Sequence, residues 1–308
     1  MRGLSMIAII AFHTEVYYKE TDVTPYYLYT TNAIILFYFI SGYLFYRERP
    51  LCLKRKISGI IRTMLVPYFI FTVLLTIPKY LIRNESMDWQ EIALHILSGR
   101  ASWFIVSLIV AETVFSVLLV VSKGSLRWLS AVAVVCFTGY FLVHFNVHNF
   151  WQWQDALLTV SFLYAGYVYH RYEDAVNRFH RPLYSLFFFL ILILVKIYEY
   201  RLDLPVRNIA IECAPLFLLD ACFTLLAVIG VIRLIPHSRL IEWTGQHCIV
   251  YYFLCGGCPM IVARLLSLAG MPYSGMLYQY LIALVLAYAL DTVLTWAIYR
   301  FVPFLVKV

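Results

Sequence analysis

An arginine and a histidine near the start of the chain have the residue types and spacing for proton-transfer chemistry. The chain begins MRGLSMIAIIAFHTE, so ten mostly apolar residues separate Arg2 from His13. Eleven steps of α-helix make three turns plus about 20° and advance ~16 Å, which predicts both side chains on one helix face. An ionisable group deep in an apolar helix normally faces a bundle interior or a wet cavity. His13 is therefore a candidate functional residue; a structural histidine bonded to a neighbouring helix is the alternative.

The elements that position these side chains are predicted to be membrane-spanning helices. The 308 residues are 63% hydrophobic and 13% charged, whereas a soluble domain is about 25% charged. Apolar runs of about 18–22 residues recur, and no polar stretch is long enough to build its own core. We predict an all-α polytopic membrane protein, one domain over residues 1–308, with about ten transmembrane helices and no soluble domain. The predicted spans are 3–18, 31–47, 63–82, 103–122, 128–145, 155–170, 183–199, 209–233, 248–267 and 278–299.

The net charge of +7 indicates topology rather than nucleic-acid binding, because Lys and Arg mark the cytoplasmic loops of a polytopic protein. With both termini in the cytoplasm, sixteen of the 24 basic residues fall on the cytoplasmic side, most densely over residues 47–62. The predicted partner is the lipid bilayer. The seven cysteines lie mostly inside apolar runs, which is typical of buried free thiols.

Five stretches resemble blocks of the integral-membrane acyltransferase-3 family, which comprises bacterial sugar and polysaccharide O-acyltransferases. RGLSMIAIIAFH (2–13) is similar to its first-helix arginine-to-histidine motif. FYFISGYLF (37–45) resembles its Phe-Phe-x-x-Ser-Gly-Tyr/Phe block, and RTMLVPY (62–68) resembles its basic residue followed by Pro-Tyr. WFIVSL (103–108) resembles its Trp-Phe-Leu helix start, and EWTGQHCIVYYFL (242–254) a late Gly-Lys-Asn-Ser-Leu-x-Ile-Tyr block. The matches follow the family's order and spacing across most of the chain.

The resemblance implies an enzyme of a bacterial inner membrane. It implies transfer of an acyl group, usually acetyl, from acetyl-CoA or another acyl-CoA to a hydroxyl of a cell-surface or lipid-linked glycan. His13 is implied as the base, and Arg2 and Arg62 as contacts to the donor. A neutral imidazole can take the proton of a sugar hydroxyl as the carbonyl is attacked, and arginine meets phosphate with a fixed fork of donors. We expect no metal.

The sequence departs from the family pattern at two places. The position three residues before Arg62, often basic in the family, is Gly59. We expect Arg55 to substitute, because it lies seven residues before Arg62 and so on nearly the same face of an α-helix; Lys56 is another candidate. Ordinary loop charge is the alternative for all three cations. The second departure is Cys255, which stands where many members have a histidine.

Other candidate residues each have a structural interpretation as well. Ser41 is a candidate site-lining residue, but a Ser-Gly pair is also typical of close helix packing. Glu112 is a second candidate; with Asp220 and Asp291 it forms a set of embedded carboxylates, any of which is able to support His13 or to form a structural ion pair. The CGGC stretch at 255–258 has the spacing of a metal motif, but two buried thiols are the better interpretation.

Aromatic residues near the predicted outer edges are candidates for acceptor contact. Trp89, Trp151 and Trp153 are typical of interfacial anchoring, with sugar stacking as the alternative. TPYYLYTT (24–31) is predicted to form the first outer loop, near the place where an acceptor arrives.

A transporter or exporter of a sugar or lipid intermediate is the rival functional class, because transporters also embed charged residues. Transporters often contain paired repeats, and the two halves of this chain show no convincing one. A third interpretation is a catalytically inactive family member that serves as a membrane partner in polysaccharide assembly.

Overall fold

Helices make up nearly all of the structure, a computed structural model that describes residues 1–19, 25–47, 51–83, 87–143, 149–234 and 236–306. One antiparallel bridge, Val206 to Ile211, is the only β pairing in these ranges, so the predicted all-α class is confirmed. In chain order the α-helices are Arg2–Lys19 (α1), Thr30–Tyr43 (α2), Leu53–Ile60 (α3), Val66–Arg83 (α4), Trp89–Leu97 (α5), Trp103–Val121 (α6), Leu126–Leu142 (α7), Trp153–Arg171 (α8), Glu173–Val176 (α9), Pro182–Leu202 (α10), Ala214–Leu234 (α11), Arg239–Gln246 (α12), Cys248–Leu254 (α13), Gly257–Leu268 (α14) and Leu277–Phe301 (α15).

Each of the ten predicted spans coincides with a helix or a helix pair, although helix position alone does not decide which of them cross a membrane. Helix α1 carries three charged residues in its 18, and α2 has only 14 residues, fewer than the ~17–25 that span the hydrocarbon core. The described residues form a helical membrane protein, and the count of ten spans stays a prediction. By length and composition, five or six candidates qualify: Leu53–Pro78, Trp103–Val121, Pro182–Leu202, Ala214–Leu234, Leu277–Phe301 and, if counted as one span, the pair α13 and α14.

The predicted span 248–267 is broken into two helices. Helices α13 and α14 meet at a bend of 46° around Cys255 and Gly256. Pro259 in the first turn of α14 has no amide proton to donate to the carbonyl four residues earlier, and the two glycines before it weaken the helix further. The bend brings Cys255 and Gly256 to the wall of the cavity that His13 lines.

Helices α2 and α8 pack so closely that only glycine fits at two contact positions. A Cβ atom at Gly42 would overlap the backbone of Leu163, and a Cβ atom at Gly166 would overlap the backbone carbonyl of Phe39. Small residues permit this kind of approach between membrane helices. The contact supports the packing interpretation of the Ser-Gly pair at residues 41 and 42.

A buried cluster of charged and polar side chains joins α10, α11 and α2. The ammonium group of Lys196 lies 2.9 Å from Asp220 Oδ2 and donates to Glu199 Oε2 at 3.0 Å and to Asn32 Oδ1 at 2.9 Å. A fourth contact goes to the backbone carbonyl of Tyr27 at 2.8 Å. A charge buried away from water needs such partners to avoid a large desolvation cost. Asp220 therefore has a structural ion pair, one of the two roles expected for it.

Candidate functional site

His13 lines a cavity of about 250 Å³ in the middle of the bundle. Its walls come from α1, α2, α4, the start of α6, and α13 with the bend that follows it. The volume is just below the ~300–1,000 Å³ of pockets that bury a drug-sized ligand. The cavity is therefore suited to the reacting end of a substrate rather than to a whole coenzyme.

The lining of the His13 cavity is aromatic and polar but carries no permanent charge. No Asp, Glu, Lys or Arg is among the described residues that line it. The imidazole of His13 stacks on the ring of Tyr17, with centroids 6.2 Å apart, and meets Phe12 edge to face at 5.6 Å. Trp103 and Phe104 supply part of the opposite wall. Such a lining suits a neutral acceptor with apolar ring faces.

A hydrogen-bonded pair of hydroxyls faces the same cavity. Ser102 Oγ donates to the hydroxyl oxygen of Tyr252 at 3.0 Å. The backbone amides of Phe104 and Ile105, in the first turn of α6, also point toward that oxygen. Because the first amides of a helix have no carbonyl partner within it, this end of α6 supplies hydrogen-bond donors at the cavity wall.

The two cysteines of the CGGC stretch face different surroundings. Cys255 lines the His13 cavity, and its Sγ donates to the carbonyl of Tyr252 at 3.0 Å. Cys258 instead faces Asp291, which is fully buried in α15. All seven cysteines are free thiols. Among the described residues no group of three or more potential metal ligands converges.

A second cavity, of about 670 Å³, lies at the other end of α2 and is rich in basic residues. Arg47, Arg55 and Lys56 line it together with Glu112. Lys56 Nζ lies 2.8 Å from Glu112 Oε2 and 3.9 Å from the centre of the Phe45 ring. Neither arginine has an ion-pair partner among the described residues. Three cations facing one carboxylate give this cavity the charge to bind a phosphate-bearing group.

The structure separates Arg62 from Arg55. A π-helical segment, Ile61–Leu65, follows α3 and contains Arg62. Both arginines are exposed, but Arg55 lines the basic cavity and Arg62 lines none of the described cavities. A role for Arg62 in donor binding stays a prediction, and Arg55 is the better placed of the two.

Arg2 lines a third cavity, of about 550 Å³, beside the second one. Here Arg233 pairs with Glu173 at 2.7 Å, and Tyr43 donates to the same carboxylate at 2.6 Å. Burial lowers the pKa of nearby His180, and the charge of Arg233 lowers it further. Because two glutamates line this cavity with its two arginines, it has a more balanced charge than the one that Arg55 lines.

Helices α1 and α2 set the distance between the basic cavities and His13. Arg2 and His13 are eleven residues apart on α1, ~16 Å along the axis. On α2, Ile34 lines the His13 cavity and Leu44, next to the C-terminus of the helix, lines both basic cavities, ten residues or ~15 Å away. The spacing along α1 and the spacing along α2 therefore agree: the His13 cavity lies ~15 Å from the two cavities that hold arginines.

The remaining predicted residues lie outside the His13 cavity. Ser41 is buried and lines none of the described cavities. Glu112 is paired with Lys56, and Asp220 with Lys196. Trp151 packs on Phe69 at a centroid distance of 6.5 Å, whereas Trp89 and Trp153 are exposed. Trp103, which the sequence pattern marks only as a helix start, lines the cavity instead.

Sequence reasoning missed several cavity residues, namely Thr30, Ser102, Trp103, Tyr252 and Arg47. Ser102 and Trp103 adjoin or belong to the WFIVSL block, and Tyr252 lies in EWTGQHCIVYYFL. The two blocks therefore mark the segments that hold these residues, but the sequence pattern indicates only that a helix starts there. The convergence of the blocks on His13 was not visible, because it depends on how distant helices pack.

A comparison with known families finds a match. The model of acyltransferase family 3, described as an acyltransferase domain, matches residues 1–300, which is nearly the whole chain. No curated protein matches, and no solved structure does.

Proposed function

Because the chain belongs to the acyltransferase-3 family and is a membrane acyltransferase, we propose that it moves an acyl group from an acyl-CoA to a hydroxyl of a cell-surface or lipid-linked glycan. Acetyl is the proposed acyl group. The observation that carries the proposal is the arrangement of His13 in an uncharged cavity, ~15 Å along α2 from a cavity that holds Arg47, Arg55 and Lys56.

His13 is the proposed base. Its neutral imidazole accepts the proton of the acceptor hydroxyl while the oxygen attacks the thioester carbonyl. The tetrahedral oxyanion is stabilised by a donor at the cavity wall, for which the Tyr252 hydroxyl is the candidate, because its oxygen accepts from Ser102 and its own proton is not used in that bond. The carbon–sulfur bond then breaks, and the imidazolium returns its proton to the leaving thiolate. Protons balance within the site.

Arg55 and its neighbours are the proposed contacts for the phosphates of the donor. Arginine binds phosphate through paired donors, and lysine adds a point charge. Arg2, in the adjacent cavity, is a further candidate. A donor held by its phosphates at one end of α2 presents its acyl group at the other, since the pantetheine arm of CoA is an extended chain. Both termini are proposed to lie in the cytoplasm of a bacterium, the compartment that supplies acyl-CoA.

The test is acyl transfer by the purified protein in nanodiscs. We would follow thiol release from acetyl-CoA with a cell-envelope glycan extract as acceptor. Acceptor-dependent release by the wild type is expected to fall by about 10²–10⁴-fold in His13→Ala, the contribution typical of a general base. Folding of each variant is checked by its elution profile and thermal unfolding.

The outcomes separate the alternatives. Release that survives His13→Ala removes the histidine from its role and leaves the transferase in place. If no acyl donor gives release while the protein binds or moves a glycan lipid, the transporter class is favoured and the proposal is wrong.

A further inference from the structure

A base that holds a sugar hydroxyl through one hydrogen bond does not fix the orientation of the sugar. A second polar contact is needed to bring the oxygen into line with the thioester. In an uncharged cavity that contact must come from a neutral donor or acceptor, so the hydroxyl groups that line the cavity are the candidates.

Three of those hydroxyls donate to partners within the protein. Thr72 and Thr76 donate to backbone carbonyls of their own helix, each at 2.6 Å. Ser102 donates to Tyr252 at 3.0 Å. These groups satisfy their own hydrogen-bonding needs without a ligand, because a partner within the protein is already in place.

Thr30 is different. It is the first residue of α2, lines the His13 cavity and is only 2% exposed. Its Oγ1 has no hydrogen-bond partner among the described residues; the nearby Tyr29 hydroxyl approaches it without the geometry of a hydrogen bond. A buried hydroxyl without a partner costs free energy, so such a group calls for an explanation.

We propose that Thr30 positions the acceptor: its hydroxyl bonds a sugar oxygen next to the hydroxyl that His13 deprotonates. The acceptor class is then a neutral sugar ring with neighbouring oxygens, one for each residue. The inference rests on the proposed function and adds to it a specificity contact. It also changes the interpretation of TPYYLYTT: Thr30 belongs to a helix and faces the site rather than an outer loop.

The next residue supplies a matched control. Thr31 is also 2% exposed and also lies in the first turn of α2. Its Oγ1 donates to the carbonyl of Tyr27 at 3.0 Å, and it lines none of the described cavities. Replacing either threonine by valine removes one hydroxyl at nearly constant volume, so the two variants separate a ligand contact from a structural one.

The two variants are expected to show opposite defects. Thr30→Val should lower kcat/KM for the acceptor about tenfold, the loss of one hydrogen bond to a bound ligand. We expect both a higher acceptor KM and a lower kcat, because the hydroxyl is no longer held in line with the thioester, and an unchanged acetyl-CoA KM. Its melting temperature should be unchanged or higher, since an unpartnered polar group is removed. Thr31→Val should lower the melting temperature by about 2–4 °C and leave the acceptor KM within about twofold. Thr30→Ser should restore the acceptor KM.

The assay uses the full-length protein in nanodiscs with acetyl-CoA and the glycan extract. A normal acceptor KM in Thr30→Val, with wild-type transfer intact, overturns this inference and leaves the proposed function standing. A fall in melting temperature equal to that of Thr31→Val also overturns it, because the hydroxyl is then structural. Absence of transfer by the wild type with any acceptor overturns both proposals.

Discussion

Two cavities at opposite ends of α2 differ in size, charge and chemistry. The His13 cavity is small and has no permanent charge among its described lining residues, whereas the cavity of Arg55 is more than twice as large and carries three cations against one carboxylate. A neutral base needs surroundings that do not hold it in its charged form. A phosphate needs fixed positive charge. The helix that separates the cavities allows one protein to meet both requirements.

The comparison is tested most severely by placing a charge in the uncharged cavity. Ser102→Asp and Ser102→Asn both remove the hydroxyl that donates to Tyr252, and only the first adds a negative charge. A carboxylate near His13 favours imidazolium, which cannot accept a proton. At pH 7 the Asp variant should transfer acyl groups about 100-fold more slowly than the Asn variant, with the gap narrowing as pH rises. Equal rates, measured by thiol release, would show that charge in this cavity does not matter.

The charged cavity is tested by removing one cation at a time. Arg55→Ala should raise the acetyl-CoA KM about tenfold, because a charge-assisted hydrogen bond to phosphate is lost, with the acceptor KM unchanged. Arg62→Ala is the matched control, since this arginine is exposed like Arg55 but lies outside the cavity. Added salt should raise the wild-type acetyl-CoA KM more than that of Arg55→Ala. A larger effect from Arg62→Ala than from Arg55→Ala would contradict the assignment made from the cavity.

The smallest effect is expected from the single carboxylate of the charged cavity. Glu112→Gln removes the ion pair with Lys56, which is partly exposed at the cavity wall. Glu112 is buried, but the amide oxygen of glutamine still accepts a hydrogen bond from the partly exposed Lys56, so little stability is lost. Loss of the negative charge makes the cavity more attractive to phosphate. We expect an acetyl-CoA KM lower by about two- to threefold, a nearly unchanged melting temperature and an unchanged acceptor KM. A loss of transfer comparable to that of His13→Ala would mean that Glu112 supports the base.

Two pairs of residues show which relative positions can be predicted from the sequence. The spacing of Arg2 and His13 predicted one helix face and ~16 Å of separation, and the two residues do lie on one continuous helix, α1. The same arithmetic predicts Arg55 and Arg62 on nearly one face, yet only Arg55 lines the basic cavity. Helix periodicity predicts which residues share a face, but not which of them line a cavity formed with other helices.

In the candidate site, too, the motifs predict helices and loops, while helix packing decides which residues line the cavity. Ser41 was a candidate because of the block that contains it, but the glycine beside it is needed for contact with α8, and Ser41 lines none of the described cavities. Thr30 was assigned to a loop, and it begins a helix that forms the wall of the site. Neither outcome follows from local propensity, because both depend on which helix lies alongside.

The amino-acid sequence by itself determined the helical membrane class, the approximate positions of the helices that match the ten predicted spans, and the placement of Arg2 and His13 along one helix, since these depend on local composition and on helix periodicity. Only the tertiary structure decided that Thr30, Ser102, Tyr252 and Cys255 meet at His13, and that Arg55 rather than Arg62 lines the basic cavity. The residues that line one cavity are up to about 240 positions apart in the chain. Close packing between helices brings them together, and this packing has no local sequence signal.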